Sequence, residues 1–468
     1  MNRSFVFLAI TAILPGVLPA CHMTGAGSDA VPALPVAWRN AAGFPVAAPD
    51  RDLSRWWTQF DDPLLTRVVS GALRSSPTVA AAAARVREAR AQRKAQASTL
   101  FPSVDASATR RTSVTRVDAG PDQSGTTYSA GLNASWDADL FGANRQNVAA
   151  ASAAAESAME DYRSAQASLA AETALAYVDL RATESRLGVV RESLRTRKET
   201  TQLVTWRKQA GEVDNLELRQ AESSLEQAHA ALSSLEQAAA QTRNRLALLS
   251  GFAPGSLDGM LSSKSSKVPA PARRLAVGIP ADTIRQRPDV RSTGYKWVAA
   301  VARKRSAEAE QLPSLRLTGT LGIDTLSASK IFNPQSAGAS LISGLTGPIF
   351  NAGRIRAGIE AAGAVQEQAL LAYQNIVLTA LSEVEDALIA CRRSGERIGI
   401  LEKAATAARE ADALARLRYR TGDTDISTVL DTERTLLSLE ESLVSARADR
   451  ASAHIQLYKA LGGGWSAH

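Results

Sequence analysis

The 468-residue chain is built twice from one pattern. A shift of 211 positions brings Pro77-Thr78-Val79 onto Pro288-Asp289-Val290 and Phe101-Pro102-Ser103 onto Leu312-Pro313-Ser314. The same shift carries Arg207 through Asp214 onto Arg418 through Asp425, Glu222 onto Glu433 and Leu246 onto Leu457. With a two-residue slip, Phe141-Gly142-Ala143-Asn144-Arg145 also meets Phe350-Asn351-Ala352-Gly353-Arg354. One displacement that holds at such distant Pro, Gly and Leu positions marks a tandem duplication. Such a chain folds as two copies of one supersecondary unit.

Each copy reads in the same order. A Pro-initiated helix spans about 77–99 or 288–311 and is stopped by Phe101-Pro102 or Leu312-Pro313. Two strands follow, expected near 103–112 and 127–137, and near 314–324 and 338–346. A helix of about 144–209 or 354–420 comes next, roughly 100 Å long at 1.5 Å per residue. Gly211 or Gly422 breaks it, and a returning helix ends near residue 250 or 460. The returning helices keep seven-residue spacing: Leu218, Leu225, Leu232, Ala239 and Leu246 in one, and Val429, Leu436, Leu443 and Leu457 in the other, where Arg450 interrupts the row. Ala-rich companion rows permit close, coiled-coil-like packing. Helices alone fit a soluble antiparallel coiled coil equally well.

The strands alternate strictly. Tyr128, Ala130, Leu132, Ala134 and Trp136 interleave with Ser129, Gly131, Asn133, Ser135 and Asp137, and Leu315 to Asp324 does the same. One face is apolar and one polar. Runs of about ten residues suit tilted membrane strands, although a periplasmic sandwich would alternate likewise. Four strands cannot close a barrel, and open edges in hydrocarbon leave unpaired main-chain groups that cost several kcal/mol each. If the strands span a membrane, several copies share one barrel.

The N-terminus supplies context. Arg3, the apolar run Phe5 to Leu14 and Leu18-Pro19-Ala20 read as an export signal. Cys21 follows at once and resembles a lipobox cysteine, which becomes the lipidated first residue of a mature lipoprotein. With Cys391 the only other cysteine, no intramolecular disulfide framework is expected. The four His suggest no metal site. The net charge of +7 is spread among interspersed Asp and Glu, a solvated helical surface rather than a nucleic-acid footprint.

Three motifs bring a family into view. Trp56-Trp57-Thr58-Gln59-Phe60-Asp61-Asp62-Pro63-Leu64, Arg287-Pro288-Asp289-Val290-Arg291 and the closing Leu457-Tyr458-Lys459-Ala460-Leu461-Gly462-Gly463-Gly464-Trp465 resemble TolC-like outer membrane factors, in the lipoprotein branch serving resistance–nodulation–division pumps. The resemblance implies an α+β membrane protein. Three subunits of four strands each would make a twelve-stranded β-barrel, continued by a long periplasmic α-helical barrel. The organisation it implies is a signal peptide (1–20), a lipid-anchored N-terminal and equatorial segment (21–76), repeat 1 (77–250), an equatorial linker (251–287), repeat 2 (288–460) and a tail (461–468).

The implied partners are two further copies, a periplasmic adaptor, an inner-membrane resistance–nodulation–division pump and outer-membrane lipid, with no cofactor. By position, Tyr419 takes the place of the family's gate tyrosine and Asp431 that of a gate carboxylate. Thr428 stands where some members carry a second Asp. Asp423 and Asp425 lie near enough to the second turn to supply charge there, and for Asp425 a helix-cap role is an equal alternative. Gly211 and Gly422 mark the hairpin tips where an adaptor would dock. The function implied is passive, gated exit of small molecules across the outer membrane. A type I secretion duct and a non-porous lipoprotein spacer are the alternatives. Enzymatic motifs such as a P-loop or HExxH do not occur.

Overall fold

The computed structural model describes residues 35–41, 53–115, 123–262, 267–271, 280–331, 333, 335 and 337–465. Cys21 and the export signal lie outside the described residues. In the first copy, helix α1 (Pro63–Ser75) leads into α2 (Pro77–Ser98), strands β1 (Ser103–Thr115) and β2 (Gln123–Ala138), the 67-residue α3 (Ala143–Gln209) and α4 (Asn215–Leu249). After the short α5 (Asp258–Leu261) and α6 (Pro280–Gln286), the second copy repeats the order as α7 (Pro288–Ala309), β3 (Ser314–Thr325), β4 (Ala337–Thr346), the 68-residue α8 (Arg354–Thr421) and α9 (Ile426–Ala460).

The four strands form one antiparallel sheet in the order β1-β2-β3-β4. Its register places Leu132 opposite both Ala106 and Leu321, and Leu317 opposite both Trp136 and Ser343. The apolar positions of all four strands therefore share one face, except Ile342 of β4, which pairs with Thr318 on the other. The other face is tied by polar pairs: Asn133 Nδ2 donates to Ser107 Oγ at 2.9 Å, Thr320 and Ser340 hydroxyls meet at 2.6 Å, and Arg316 lies 3.5 Å from Asp137. The first hairpin outruns its expected bounds on both sides of the turn. The added stretches hold Val114, Thr115 and Thr126, β-branched residues that suit extended backbone, and the Thr126 hydroxyl lies 3.3 Å from that of Thr112 across the pair.

The largest core lies midway along the helices, where Trp38 and the Trp56–Phe60 turn meet the last turns of α9. Trp56 stacks on Tyr458 with centroids 5.3 Å apart and meets Trp57 and Phe60 edge-on. The Tyr458 hydroxyl donates to Gln59 at 2.6 Å, and Tyr177 donates to Asp62, whose other oxygen caps α1. Gly464 adopts φ +100°, and a Cβ there would stand 3.2 Å from Ala167 Cα. This contact accounts for glycine beside the terminal Trp465, whose ring carries Arg163 at 4.8 Å. Arg287, almost fully buried, grips Asp289 and Glu383 at 2.6 Å each and the last turn of α9 through Ala460 O at 3.1 Å. Arg291 reaches buried Glu160 on α3 at 2.8 Å. The Trp-Trp, Arg-Pro-Asp-Val-Arg and terminal glycine motifs thus converge on one girdle that clamps the two repeats together.

The heptad rows are buried as their spacing requires, with Leu218, Ala221, Ala228, Ala239, Thr242 and Leu246 inward on α4 and Val429, Leu443, Ala446, Ala453 and Leu457 inward on α9. Cys391 is buried, its Sγ 3.6 Å from His454 Nδ1, and burial pushes its thiol up to about 12.

Candidate functional site

The end of the helical body remote from the sheet consists of two hairpins built alike. In the first, Gly211 (φ +79°) turns α3 into α4, and Glu212 N–H donates back to Arg207 O at 2.9 Å. In the second, Gly422 (φ +82°) turns α8 into α9, and Asp423 N–H donates to Arg418 O at 2.8 Å. A left-handed residue closing the last turn of a helix is the reason both positions are glycine.

The hairpins differ in what they hold. Tyr419, which occupies the position of Lys208 in the first copy, is only 2% exposed. It packs with Val204, Leu218, Ala221, Ala415, Ile426, Val429 and Leu430, an apolar cluster drawn from all four helices. Its hydroxyl donates to Glu217 Oε2 on α4 at 3.0 Å, while the Arg207 guanidinium lies 4.8 Å from its ring centroid. Arg207 also donates to Tyr419 O at 3.2 Å and to Glu212 at 3.0 Å. Burial, together with the Glu217 carboxylate, pushes the phenol up to about 12. A phenol that stays protonated remains a donor, so the second hairpin is hydrogen-bonded to the first at any ordinary pH.

Deeper in the bundle lies an ionic junction between the same hairpins. Glu433 on α9 is buried and accepts from Thr200 Oγ1 on α3 at 3.0 Å. Arg416 Nη2 on α8 stands 3.4 Å from Glu433 and 2.9 Å from Asp412, and Arg197 Nε on α3 lies 4.0 Å from Glu433. Burial raises the Glu433 carboxyl and lowers the Arg197 guanidinium from their ordinary values. Among the described residues, Glu433 Oε2, Asp412 Oδ1, Arg197 Nε and Arg416 Nε find no hydrogen-bond partner. Buried charges so incompletely paired contribute little net stability and are costly to rearrange singly, which favours a junction that parts as a unit.

The other residues singled out from sequence are distributed along the second turn. Asp431 is exposed and paired with Arg434 one turn on at 2.8 Å, so its charge is locally balanced. It lines a cleft with Arg219, Ser223, Ser427 and Leu430, between α4 and α9. Thr428 is exposed and its carbonyl accepts from Thr432. Asp423 accepts from Thr421 Oγ1 at 2.7 Å. Asp425 occupies the N-cap position of α9, but its side chain makes no capping hydrogen bond, whereas Asp214 caps α4 through Glu217 N–H at 3.1 Å. Only Tyr419 is engaged across the hairpins. Sequence reading missed Glu217, Arg207 and the Glu433 junction. The repeat held a signal for Glu217: a shift of 211 makes it the counterpart of Thr428, so the carboxylate absent at one position stands at its mate.

A family model described as outer membrane efflux protein matches residues 68–252 and 279–463. The two matches are offset by the same 211 residues at both ends. The chain belongs to the outer membrane efflux protein family. Among relatives, it is 32% identical to the pyoverdine export outer membrane protein OpmQ of Pseudomonas putida over 92% of each chain. It is 30% identical to the solvent efflux pump outer membrane protein SrpC of Pseudomonas putida over 87% of each. The outer-membrane channel OprN superposes with a TM-score of 0.88 at 31% identity, covering 94% of this chain and 99% of that one. The Neisseria gonorrhoeae MtrE outer membrane channel, solved in its open state, superposes at 0.81 with 27% identity, covering 92% and 96%. This efflux protein is accordingly an outer-membrane channel subunit of α+β architecture.

Proposed function

We propose that three copies of this efflux protein close one twelve-stranded barrel and a continuous α-helical duct, through which small molecules leave passively when the hairpins part. The observation that carries this reading is the sheet. Its apolar face is bare, with Leu132, Leu321, Leu341 and Leu345 all exposed, and strands β1 and β4 are open edges. In hydrocarbon such edges must be paired, and joining β4 of one copy to β1 of the next pairs every one. A second unpartnered surface supports the assembly: Val365, Leu371, Leu378, Ile400 and Leu414 are exposed along α8, a surface for a neighbouring copy.

Cys21 tethers each subunit to the membrane through its lipid. A periplasmic adaptor docks around Gly211 and Gly422, and an inner-membrane resistance–nodulation–division pump supplies the energy. The Tyr419–Glu217 bond and the Glu433 junction hold the hairpins together at rest. Asp423 and Asp425, set around the second turn with Thr428, give the mouth its acidic lining and favour cations, and Asp431 joins them when its pairing with Arg434 is broken. The test is single-channel conductance of the purified protein in a planar bilayer, together with the mass of the detergent-solubilised particle. A stable particle of three subunits that conducts is expected. A monomer soluble without detergent, or a bilayer that stays silent, overturns the reading.

A further inference from the structure

The apolar face of the sheet has one charged side chain. On β1 the outward positions run Val104, Ala106, Ala108 and then Arg110, which is exposed and directly opposite Tyr128. The register extends that row to Thr325 on β3. The guanidinium lies 5.9 Å from the Tyr128 ring centroid, on the same face as the aliphatic side chains below it. None of the outward positions on the four strands is an Asp or Glu, and among the described residues no carboxylate pairs with Arg110.

The depth of this row follows from the strand. Trp136, whose indole N–H is held by Leu100 O at 3.1 Å, stands near the end of β2 that adjoins the helices. Tyr128 is eight residues away, roughly 20 Å in height for a strand tilted by about 40°. Aromatic side chains gather at the two rims of a membrane barrel, so Trp136 and Tyr128 mark the inner and outer borders of the apolar band. With the helices on the periplasmic side, Arg110 sits at the outer rim, where a cation costs little, yet it faces lipid rather than the water-filled bore. The outward positions of β4, which a β4–β1 junction would bring beside it, are Ala337, Ala339, Leu341, Ser343 and Leu345, and none brings a counter-charge.

We propose that Arg110, seated against Tyr128, is a binding site for a phosphate of an outer-leaflet glycolipid. A planar guanidinium takes two phosphate oxygens side by side, and the Tyr128 face steadies it without competing for its N–H donors. In a threefold assembly the site occurs three times around the barrel, and bound lipid grips the subunit seam from outside. The inference rests on the membrane barrel proposed above.

The test compares the purified full-length protein with Arg110→Ala and Arg110→Lys. Each is incubated with lipid A carrying its phosphates or with the same lipid after phosphate removal, and retained lipid is counted by native mass spectrometry. The wild-type protein should keep the phosphorylated lipid several-fold better than the stripped one. Arg110→Ala should abolish that difference, Arg110→Lys should keep part of it, and millimolar inorganic phosphate should not displace the lipid. Equal retention of the two lipids by the wild-type protein overturns the proposal. So does unchanged discrimination in Arg110→Ala, or ready displacement by inorganic phosphate. Conductance of the same preparations separates the two readings: conducting channels without phosphate-dependent retention sink the lipid site alone, and silent preparations sink the barrel.

Discussion

Replacing Tyr419 with Phe removes one oxygen and leaves the rest of the hairpin core in place. The ring keeps its apolar contacts and its position beneath Arg207, so the variant isolates the 3.0 Å bond to Glu217. A hydrogen bond to a charged acceptor contributes about 1.5–3 kcal/mol. Glu217 is half-buried, and water can replace part of what it loses, which brings the expected cost down to about 1–1.5 kcal/mol per subunit. That is roughly a 5- to 13-fold shift toward the open hairpin in each copy, multiplied where copies open together. Single-channel recording should show a higher resting open probability, and cells should admit bulky antibiotics more readily. Glu217→Ala should act in the same direction, and the double variant should add little to either single one, because each removes the same bond. Effects that sum fully in the double variant, or a resting conductance unchanged in both single variants, would refute the assignment of this pair as a latch.

Three further outcomes follow from the geometry. Leu321→Arg places a charge mid-height on the lipid face and should cost about 2–4 kcal/mol, reducing barrel assembly, while Thr320→Arg on the opposite face should assemble and alter conductance; heat-modifiability gels and bilayer recordings distinguish them. The Tyr419 phenol, raised from 10.0 to about 12, stabilises the closed state fully below pH 10 and loses that contribution as pH rises toward 12, so alkaline opening should be seen in this window and be smaller in Tyr419→Phe. Tyr177 in the girdle is raised equally and contributes to both, so the difference between the proteins is the quantity to measure. Cys391 should resist alkylation at pH 8 in the folded protein and react once it is denatured, whereas prompt labelling of the native protein would contradict its burial.

Much of this architecture can be read directly from the residues because it rests on periodicity and chain breaks. Period two in Tyr128–Trp136, period seven in Leu218–Leu246 and the glycines at 211 and 422 are local properties, and a constant shift makes each appear twice. Tyr419 was also singled out, through the family resemblance of the second hairpin. Its partner was not. Tyr419 and Glu217 meet only because α8 and α4 lie side by side at one rotation, and no spacing along either helix encodes that rotation. The Glu433 junction escaped for the same reason, since Arg197 and Arg416 read as two among many solvated arginines until the packing of α3, α8 and α9 brings both to Glu433. The polar ends of β1 and β2 misled in a simpler way: Thr and Ser beyond the apolar band resembled loop, yet their main chains continue to pair.

The likeness of the two hairpins has a consequence for symmetry. Three subunits that each contain two nearly identical ends would present six almost equivalent tips to whatever approaches from below. The equivalence fails where Tyr419 stands in place of Lys208 and Thr428 in place of Glu217, so a quasi-sixfold wall would carry contacts that are strictly threefold. A surface that reads only the shared turns would meet six like tips, and one that reads the residues around Tyr419 would meet three.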